Sequence, residues 1–317
     1  MSAPLDLFRA LADPTRLRII TLLRSMELSV GELAQVLGQS QPRVSRHVKI
    51  LVDAGLVERR KEGAWVFIAL SRGGAVTALL PALDAWNDKA GGDHWAIADN
   101  ARLAAVRADR AAAAERWFEA HAVEWDAIRS LHVAESEVEA AMRRALEAAP
   151  VGRLVDIGTG TGRILELFGE QATSAIGIDR SPEMLRVARA KLTEEVPTAE
   201  LRQGDMYALP LGDGTADCVI LHQVLHFAQQ PAAAIAEGAR LLASGGRMLI
   251  VDFAPHEREE LRTQDAHARL GFADQAVLGW LRDAGLDGEV FEHLSGGELT
   301  VTLWLGTRRA ARAARAA

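Results

Sequence analysis

The chain has 317 residues, 49% of them hydrophobic and 25% charged, with a net charge of −7 and a single cysteine. That length supports two domains with cores of their own, the ordinary apolar content argues against disorder, and one cysteine excludes both an internal disulfide framework and a cysteine metal cluster, so no metal site is expected. No apolar run reaches the roughly twenty residues that span a bilayer, and Met1-Ser2-Ala3-Pro4 lacks the basic and apolar regions of a signal peptide, which points to a cytoplasmic protein with no membrane partner. The charge is uneven: residues 1–95 carry twelve Lys or Arg against ten Asp or Glu, net +2, leaving −9 for the remainder. Only the N-terminal part suits a polyanion.

From Leu5 to Arg24 apolar residues recur at near-helical spacing, interrupted at Asp13-Pro14-Thr15, where an N-cap followed by a first-turn proline makes two helices abut. Ser29 followed by Glu32 is a capping box that opens a helix to Leu37, and Gly38 stops it. Ser40-Gln41-Pro42 starts the next helix, with Val44, Val48 and Leu51 on one face. Two short helices joined by a turn form a helix-turn-helix, whose second helix enters the major groove. Gln41, Arg43, Ser45, Arg46, His47 and Lys49 are therefore the candidates for contacting double-stranded DNA. Leu56 to Leu70 reads as two strands around a turn near Glu62-Gly63, and Arg59, Arg60 and Lys61 make the tip basic, as suits a wing on the phosphate backbone. The segments Leu11 to Ile20 and Gln41 to Leu51 resemble the winged-helix repressors of the ArsR family. The resemblance implies a homodimer on paired half-sites, with Pro81 to Trp95, including Leu83 and Trp86, in its interface. Ser29 and Gly31 stand where metal-sensing relatives place thiols, so that metal site is missing.

Ala96 to Ala120 is rich in strong helix formers and reads as a helical connector with a narrow apolar stripe of Leu103 and Val106, extended by Arg110. Trp117, Phe118 and Trp125-Asp126 follow. They read equally as helix-packing residues and as an aromatic-acid pair that closes over a cofactor.

Arg153-Leu154-Val155 begins a strand that runs into Asp156-Ile157-Gly158-Thr159-Gly160-Thr161-Gly162 and then a helix to Phe168. Glycines there permit close backbone approach, and free amides at the helix start would offer donors to a polar or anionic group. Strands at Ala175–Asp179, Glu200–Gln203, Asp217–His222 and Arg247–Phe253 alternate with helices Pro182 to Leu192 and Ala232 to Leu242. Such alternation predicts a mainly parallel sheet covered on both faces, with ligand at the carboxyl ends of the strands. A helix over Gly279 to Leu286, a final antiparallel pair at Val290–His293 and Leu299–Leu305, and a frayed tail from Arg308 complete the reading. Cys218 lies in an apolar strand and reads as inert core.

Asp156 with Gly158, Gly160 and Gly162, then Asp179, then Gly204-Asp205-Met206, resemble the successive motifs of class I S-adenosylmethionine-dependent methyltransferases; a dinucleotide-binding dehydrogenase fits the later motifs less well. The resemblance implies that Gly158, Thr159, Gly160 and Gly162 lie along the amino-acid and ribose part of the ligand. It also implies that Asp179, with Arg180 beside it, takes the ribose hydroxyls and Asp205 the adenine amino group, with Met184 and Met206 flanking the ring. Asp156 then supports the loop or the ligand's amino group. His222 and His226 follow the fourth strand, where a base or a substrate contact would sit, and their spacing also fits one helical face and a metal pair, for which no further ligands are identified. His256, His267 and Arg269 belong to an insert that would roof this side.

The fold class expected is thus a mainly α winged helix-turn-helix domain (residues 1–95), a helical connector (96–149) and an α/β class I methyltransferase-like, Rossmann-like domain (150–317). The combination resembles ArsR-type regulators that respond to S-adenosylhomocysteine in control of the methionine cycle. It implies a transcriptional regulator that binds S-adenosylmethionine or S-adenosylhomocysteine as its small-molecule ligand. The alternative is an active small-molecule methyltransferase with a regulatory head. Arsenite methylation needs several thiols, and the chain has one.

Overall fold

The computed structural model describes residues 4–62, 65–71, 76, 79–83, 85, 94–121, 134–196, 199–264, 267–295 and 297–309. Two compact units emerge, Met1–Ala112 and Ala113–Ala317.

The N-terminal unit opens with α1 (Pro4–Leu11) and α2 (Pro14–Leu23). Asp13 caps α2 by accepting the Arg16 amide at 3.1 Å, and Pro14 fills a first-turn position that needs no N–H. Both bonds of the expected capping box form, Glu32 N–H to Ser29 Oγ at 3.2 Å and Ser29 N–H to Glu32 Oε2 at 2.8 Å. They start α3 (Val30–Leu37), which ends at Gly38 in the left-handed conformation (φ 65°). In α4 (Gln41–Asp53) the buried face is Val44, Val48 and Leu51, as the periodicity predicts. β2 (Val57–Glu62) and β3 (Trp65–Leu70) pair antiparallel from Val57 opposite Leu70 to Glu62 opposite Trp65. A third strand, β1 (Leu28–Ser29), pairs with β3; two residues are too few to show a period-two pattern in sequence.

The helix α5 (His94–His121) follows. Leu103 and Val106 are buried in the same core as Ile19, Ile20, Leu33, Val48, Leu51 and Ile68. A buried ion pair holds α5 to α2: Arg18 Nε and Nη2 each lie 2.6 Å from the Asp99 carboxylate, and Nη2 also donates to Leu37 O at 3.2 Å. Trp95 adds a cation–π contact, its ring centre 4.7 Å from the Arg18 guanidinium carbon. Leu83 is half-buried and packs against the unit's core. Trp86, the Arg110, Trp117 and Phe118 side chains, and Trp125-Asp126 lie outside the described residues.

In the C-terminal unit, α6 (Glu135–Leu146) precedes β4 (Gly152–Ile157), α7 (Arg163–Phe168), β5 (Ala172–Asp179), α8 (Pro182–Glu195), β6 (Glu200–Gln203), β7 (Ala216–His222) and α9 (Pro231–Leu241). Then come β8 (Leu242–Phe253), α10 (Glu260–Gln264), α11 (Asp274–Asp283), β9 (Leu286–Ser295) and β10 (Thr300–Arg308). The seven strands lie in the order β6-β5-β4-β7-β8-β10-β9. The pairs from β6 to β8 are parallel, and β10 runs antiparallel to both β8 and β9.

Alternate residues of the central strands feed two cores, one on each face of the sheet. Leu154, Cys218, Ile220, Leu249 and Val251 belong to one, and Val155, Val219, Leu221, Met248 and Ile250 to the other. Burial pushes the Cys218 thiol up to about 12, consistent with an inert core residue.

Two elements differ from what the sequence predicts. The helix expected over Gly279 to Leu286 spans Asp274–Asp283, because Val277 and Leu281 are its buried positions and Asp274 Oδ1 accepts from the Trp304 indole at 2.9 Å. Arg308 is not frayed: it ends β10, and its guanidinium donates to Ala239 O at 2.6 Å.

Candidate functional site

Strand order reverses between β4 and β7, since the chain proceeds outward from β4 through β5 to β6 and then restarts at β7. In open α/β sheets the crevice at such a switch point, outside the carboxyl ends of the strands, is where ligands bind. Gly158, Asp179, Gly204 and His222 all sit at those ends.

The loop after β4 takes its shape from glycines in the left-handed region, Gly158 (φ 74°), Gly160 (φ 53°) and Gly162 (φ 90°). A Cβ on Gly158 would lie 2.2 Å from Val224 Cγ2, and one on Gly162 would lie 2.9 Å from Leu192 Cδ1. Packing under the loop, as well as conformation, therefore requires these two glycines. The amides of Arg163, Ile164 and Leu165, which open α7 without a side-chain cap, find no acceptor among the described residues, whereas those of the loop before it are bonded within the chain. Gly158 and Thr159 donate to Ile178 O at 2.7 and 3.0 Å, Gly162 to Thr159 O at 2.9 Å, and Gly160 to Asp179 Oδ2 at 2.8 Å. These donors are consumed inside the chain.

Asp179 ends β5 and ties the parts together. Its second oxygen accepts the Ser181 amide at 2.8 Å, and its backbone carbonyl accepts the Gly204 amide at 3.0 Å. Two bonds leave further lone pairs on an ionised carboxylate. Desolvation raises its pKa above the ordinary 3.8, opposed by the backbone N–H groups of Ser181, Gly160 and Arg180. Arg180 is exposed, and its carbonyl accepts from Gln203 Nε2 at 3.1 Å.

Asp205 is exposed, with Oδ1 accepting from Tyr207 N at 3.0 Å, and Met206 packs half-buried against the neighbouring core. Met184 is buried in the first turn of α8, and Asp156 is buried within β4. Thr159 is buried as well, with a hydroxyl that finds no hydrogen-bond partner among the described residues.

His222 is the last residue of β7, whereas His226 lies in a single 3₁₀ turn, Leu225–Phe227. The two histidines do not share a helical face, because Gln223 between them breaks the chain direction at φ 48°. His226 is instead bound to Asp252 near the end of β8: Nδ1 is 2.8 Å from Oδ1 and its backbone N–H donates to Oδ2 at 3.2 Å. The insert docks on the same turn, with the Ala268 and Arg269 amides both 2.9 Å from His226 O and the His267 ring centre 4.2 Å from that of His226. Arg269 Nη2 also donates to Gln229 O at 3.0 Å. His256, earlier in the insert, donates its backbone N–H to Leu270 O at 3.1 Å. Sequence reasoning missed Asp252 as the partner of His226 and missed Gln223; no short motif links these positions.

On the N-terminal unit, Gln41, Arg43, Arg46 and Lys49 are exposed on α4, and Arg59 is exposed on β2. Ser45 is half-buried. His47 is half-buried with Nδ1 3.6 Å from Asp13 Oδ1. Arg60 ion-pairs with Glu27 and Glu58, so its charge is directed into its own module rather than displayed at the hairpin tip. The Lys61 backbone lies in β2, and its side chain is outside the described residues.

Comparison with known proteins matches both halves. The model of the arsR family of bacterial regulatory proteins matches residues 13–59, and a methyltransferase-domain model matches residues 155–250. The arsenical resistance operon repressor of Escherichia coli is 40% identical over 105 residues, 33% of this chain and 82% of the repressor. An uncharacterized methyltransferase of Mycobacterium bovis is 33% identical over 137 residues, 43% of this chain and 46% of that protein. This chain thus spans less than half of the Mycobacterium relative, and 32% of a protein encoded in a Streptomyces fradiae transposon. The solved structure of the YcgJ protein of Bacillus subtilis aligns with TM-score 0.50 at 20% identity, covering 56% of this chain and 100% of that one, a likeness of fold. The chain belongs to the arsR family of bacterial regulatory proteins, with a methyltransferase domain of Rossmann-like fold following its helix-turn-helix module.

Proposed function

We propose that the protein is a DNA-binding transcriptional regulator whose C-terminal domain binds S-adenosylmethionine or S-adenosylhomocysteine and couples that ligand to operator binding, in control of the methionine cycle. Residues 1–95 hold the DNA, 96–149 connect, and 150–317 hold the ligand. The observation that carries the ligand reading is Asp179, a desolvated carboxylate pinned by Gly160 and Ser181 with acceptor capacity to spare. Vicinal ribose hydroxyls are two donors, which that carboxylate can take together. Asp205, with its second oxygen uncommitted to Tyr207, suits the adenine amino group. A dinucleotide is the less favoured ligand because the later motif, Gly204-Asp205-Met206, fits a dinucleotide-binding dehydrogenase less well.

Gln41, Arg43, Arg46 and Lys49 supply base-edge and phosphate contacts from α4, and Arg59 a phosphate contact from the hairpin. Ser45 and His47 support that helix from partly buried positions. A second copy of the chain completes the DNA-binding unit. Leu5 and Phe8 of α1 and Ile97 of α5 leave 57%, 60% and 81% of their surface exposed, apolar area that a homodimer would cover. The protein works in the cytoplasm, where its operator lies.

A second reading, methyl transfer to a small molecule, is favoured by the His226–Asp252 pair, since a carboxylate that fixes an imidazole also fixes the nitrogen available for a proton. S-adenosylmethionine, when bound, supplies an electrophilic methyl group. In this reading Asp252 orients His226, and the docked insert with His267 and Arg269 keeps water from that side.

Calorimetric titration with S-adenosylmethionine and S-adenosylhomocysteine tests the ligand reading. The ionised Asp179 accepts more bonds than the protonated form, and its pKa lies above the ordinary 3.8. Binding is therefore expected at neutral pH and should weaken as pH falls through that raised value. No heat of binding with either ligand would sink the proposal.

A further inference from the structure

The segment after β6 is fastened to α9 at both ends of a single turn. Within the turn, Tyr207 N–H donates to Asp205 Oδ1 at 3.0 Å and Ala208 N–H to Asp205 O at 3.0 Å. Downstream, Leu209 N–H donates to Glu237 Oε1 at 2.8 Å and Arg240 Nη1 to Leu211 O at 2.9 Å, while Arg240 pairs with Glu237 and Asp213. The attachment nearest Asp205 comes from Tyr207, whose phenol oxygen accepts the Gln230 N–H at 3.1 Å where α9 begins. That anchor is itself held from the insert, because Arg269 Nη2 donates to Gln229 O at 3.0 Å.

The ring of Tyr207 keeps 36% of the residue's surface exposed, yet desolvation raises the pKa of its hydroxyl above the ordinary 10, opposed by the Gln230 and Gln229 N–H groups. The hydroxyl is therefore neutral at working pH, and its oxygen serves as a fixed acceptor. Asp205, by contrast, is exposed at the tip of the turn, where a side chain keeps its rotamer freedom unless something removes it. Tyr207 does so twice over. Its N–H holds one carboxylate oxygen, and its hydroxyl holds the turn that carries the carboxylate. Without the hydroxyl, the Glu237 and Arg240 attachments still retain the segment from Leu209 onward, so the fold survives while the acid loses its setting.

We propose that Tyr207 is a positioning residue, which by tying the turn after β6 to the start of α9 sets Asp205 to select a 6-aminopurine over a 6-oxopurine. The proposal rests on the ligand reading above. A 6-amino group offers a donor to the free carboxylate oxygen, whereas a 6-oxo group sets an acceptor against it. Hydrogen bonds weaken steeply with misalignment, so the discrimination depends on where the carboxylate is held.

The test compares S-adenosylhomocysteine with S-inosylhomocysteine, in which a carbonyl oxygen replaces the 6-amino group. Both are titrated by calorimetry into the full-length wild type, Tyr207→Phe, Asp205→Asn and the double variant, with thermal melting to check that each is folded. The wild type should prefer the adenosyl ligand by about tenfold or more, the scale of one hydrogen bond to a charged group. Tyr207→Phe keeps the ring and loses the hydroxyl. It should bind S-adenosylhomocysteine about tenfold more weakly, with S-inosylhomocysteine affinity unchanged. In Asp205→Asn the hydroxyl has no carboxylate left to position, so adding Tyr207→Phe should change neither affinity further. Equal losses for both ligands in Tyr207→Phe, unchanged S-adenosylhomocysteine binding, or additive losses in the double variant would overturn the proposal and leave the ligand reading standing. A wild type that binds both ligands equally removes Asp205 from the purine and the proposal with it; one that binds neither overturns the ligand reading as well.

Discussion

Replacing Asp179 with asparagine is expected to lower S-adenosylhomocysteine affinity by a factor of about a hundred or more. A hydrogen bond to a charged group contributes about 1.5–3 kcal/mol, and in the proposed reading the ionised carboxylate accepts two from vicinal hydroxyls while holding the Gly160 and Ser181 amides. Asparagine preserves the shape, but it removes the charge and turns one acceptor into a donor that faces a backbone N–H. Alanine goes further, because it leaves the Gly160 amide without its acceptor and loosens the loop that carries Gly158 and Gly162. Calorimetry on the two variants separates the effects: asparagine should cost binding with a modest change in melting, and alanine should cost both. Affinity within a few-fold of wild type in Asp179→Asn would remove Asp179 from the site.

Asp99→Ala is expected to destabilise the N-terminal unit by about 3–5 kcal/mol, the usual cost of breaking a buried ion pair from one side. Arg18 and Asp99 leave 8% and 6% of their side chains exposed, so the orphaned guanidinium would keep only Leu37 O and the face of Trp95. The pair fastens the start of α5 to α2, beneath the helix-turn-helix. The double replacement Arg18→Met with Asp99→Leu should recover most of the loss, because an apolar pair of similar size needs no desolvation. Hydrogen exchange of the α2 to α4 amides reads this out in the full-length chain. Protection unchanged in Asp99→Ala would mean that α5 is held by its apolar stripe alone.

Local signals in the sequence carried a great deal of this structure. Asp13-Pro14, the Ser29–Glu32 capping box and Gly38 each act within four residues, and each helix boundary they mark is found in place. Strand alternation from Leu154 to Val251 was equally readable, since a parallel sheet buried on both faces leaves continuous apolar runs. The antiparallel close of the sheet was anticipated as a pair, but the insertion of β10 between β8 and β9 depends on pairing that no local pattern encodes.

What escaped the sequence was long-range or conformational. Arg18 and Asp99 are 81 positions apart, and His226 and Asp252 are 26 apart, so neither pairing could be read from spacing. Gln223 looked like an ordinary residue between two histidines, because its positive φ is set by Val251 and by the packing of Val224 against Gly158. The glycine loop was located correctly from its composition. The acceptors of its own amides, Ile178 O and the Asp179 carboxylate among them, come from the next strand and are not legible in the loop itself. Arg60 reads as part of the basic tip for a similar reason, since its partner Glu27 is distant in sequence.

In the proposed function ligand and DNA are coupled through one chain, and a ligand shifts DNA binding only as far as it prefers one conformation over another. The most direct test is the affinity of purified protein for genome-selected DNA at fixed salt, measured without ligand, with S-adenosylmethionine and with S-adenosylhomocysteine. A change of tenfold or so, about 1.4 kcal/mol of coupling, with one ligand and not the other is the predicted result, and it would name the signal. Superimposable binding curves under all three conditions, at ligand concentrations shown by calorimetry to saturate the site, would contradict the account.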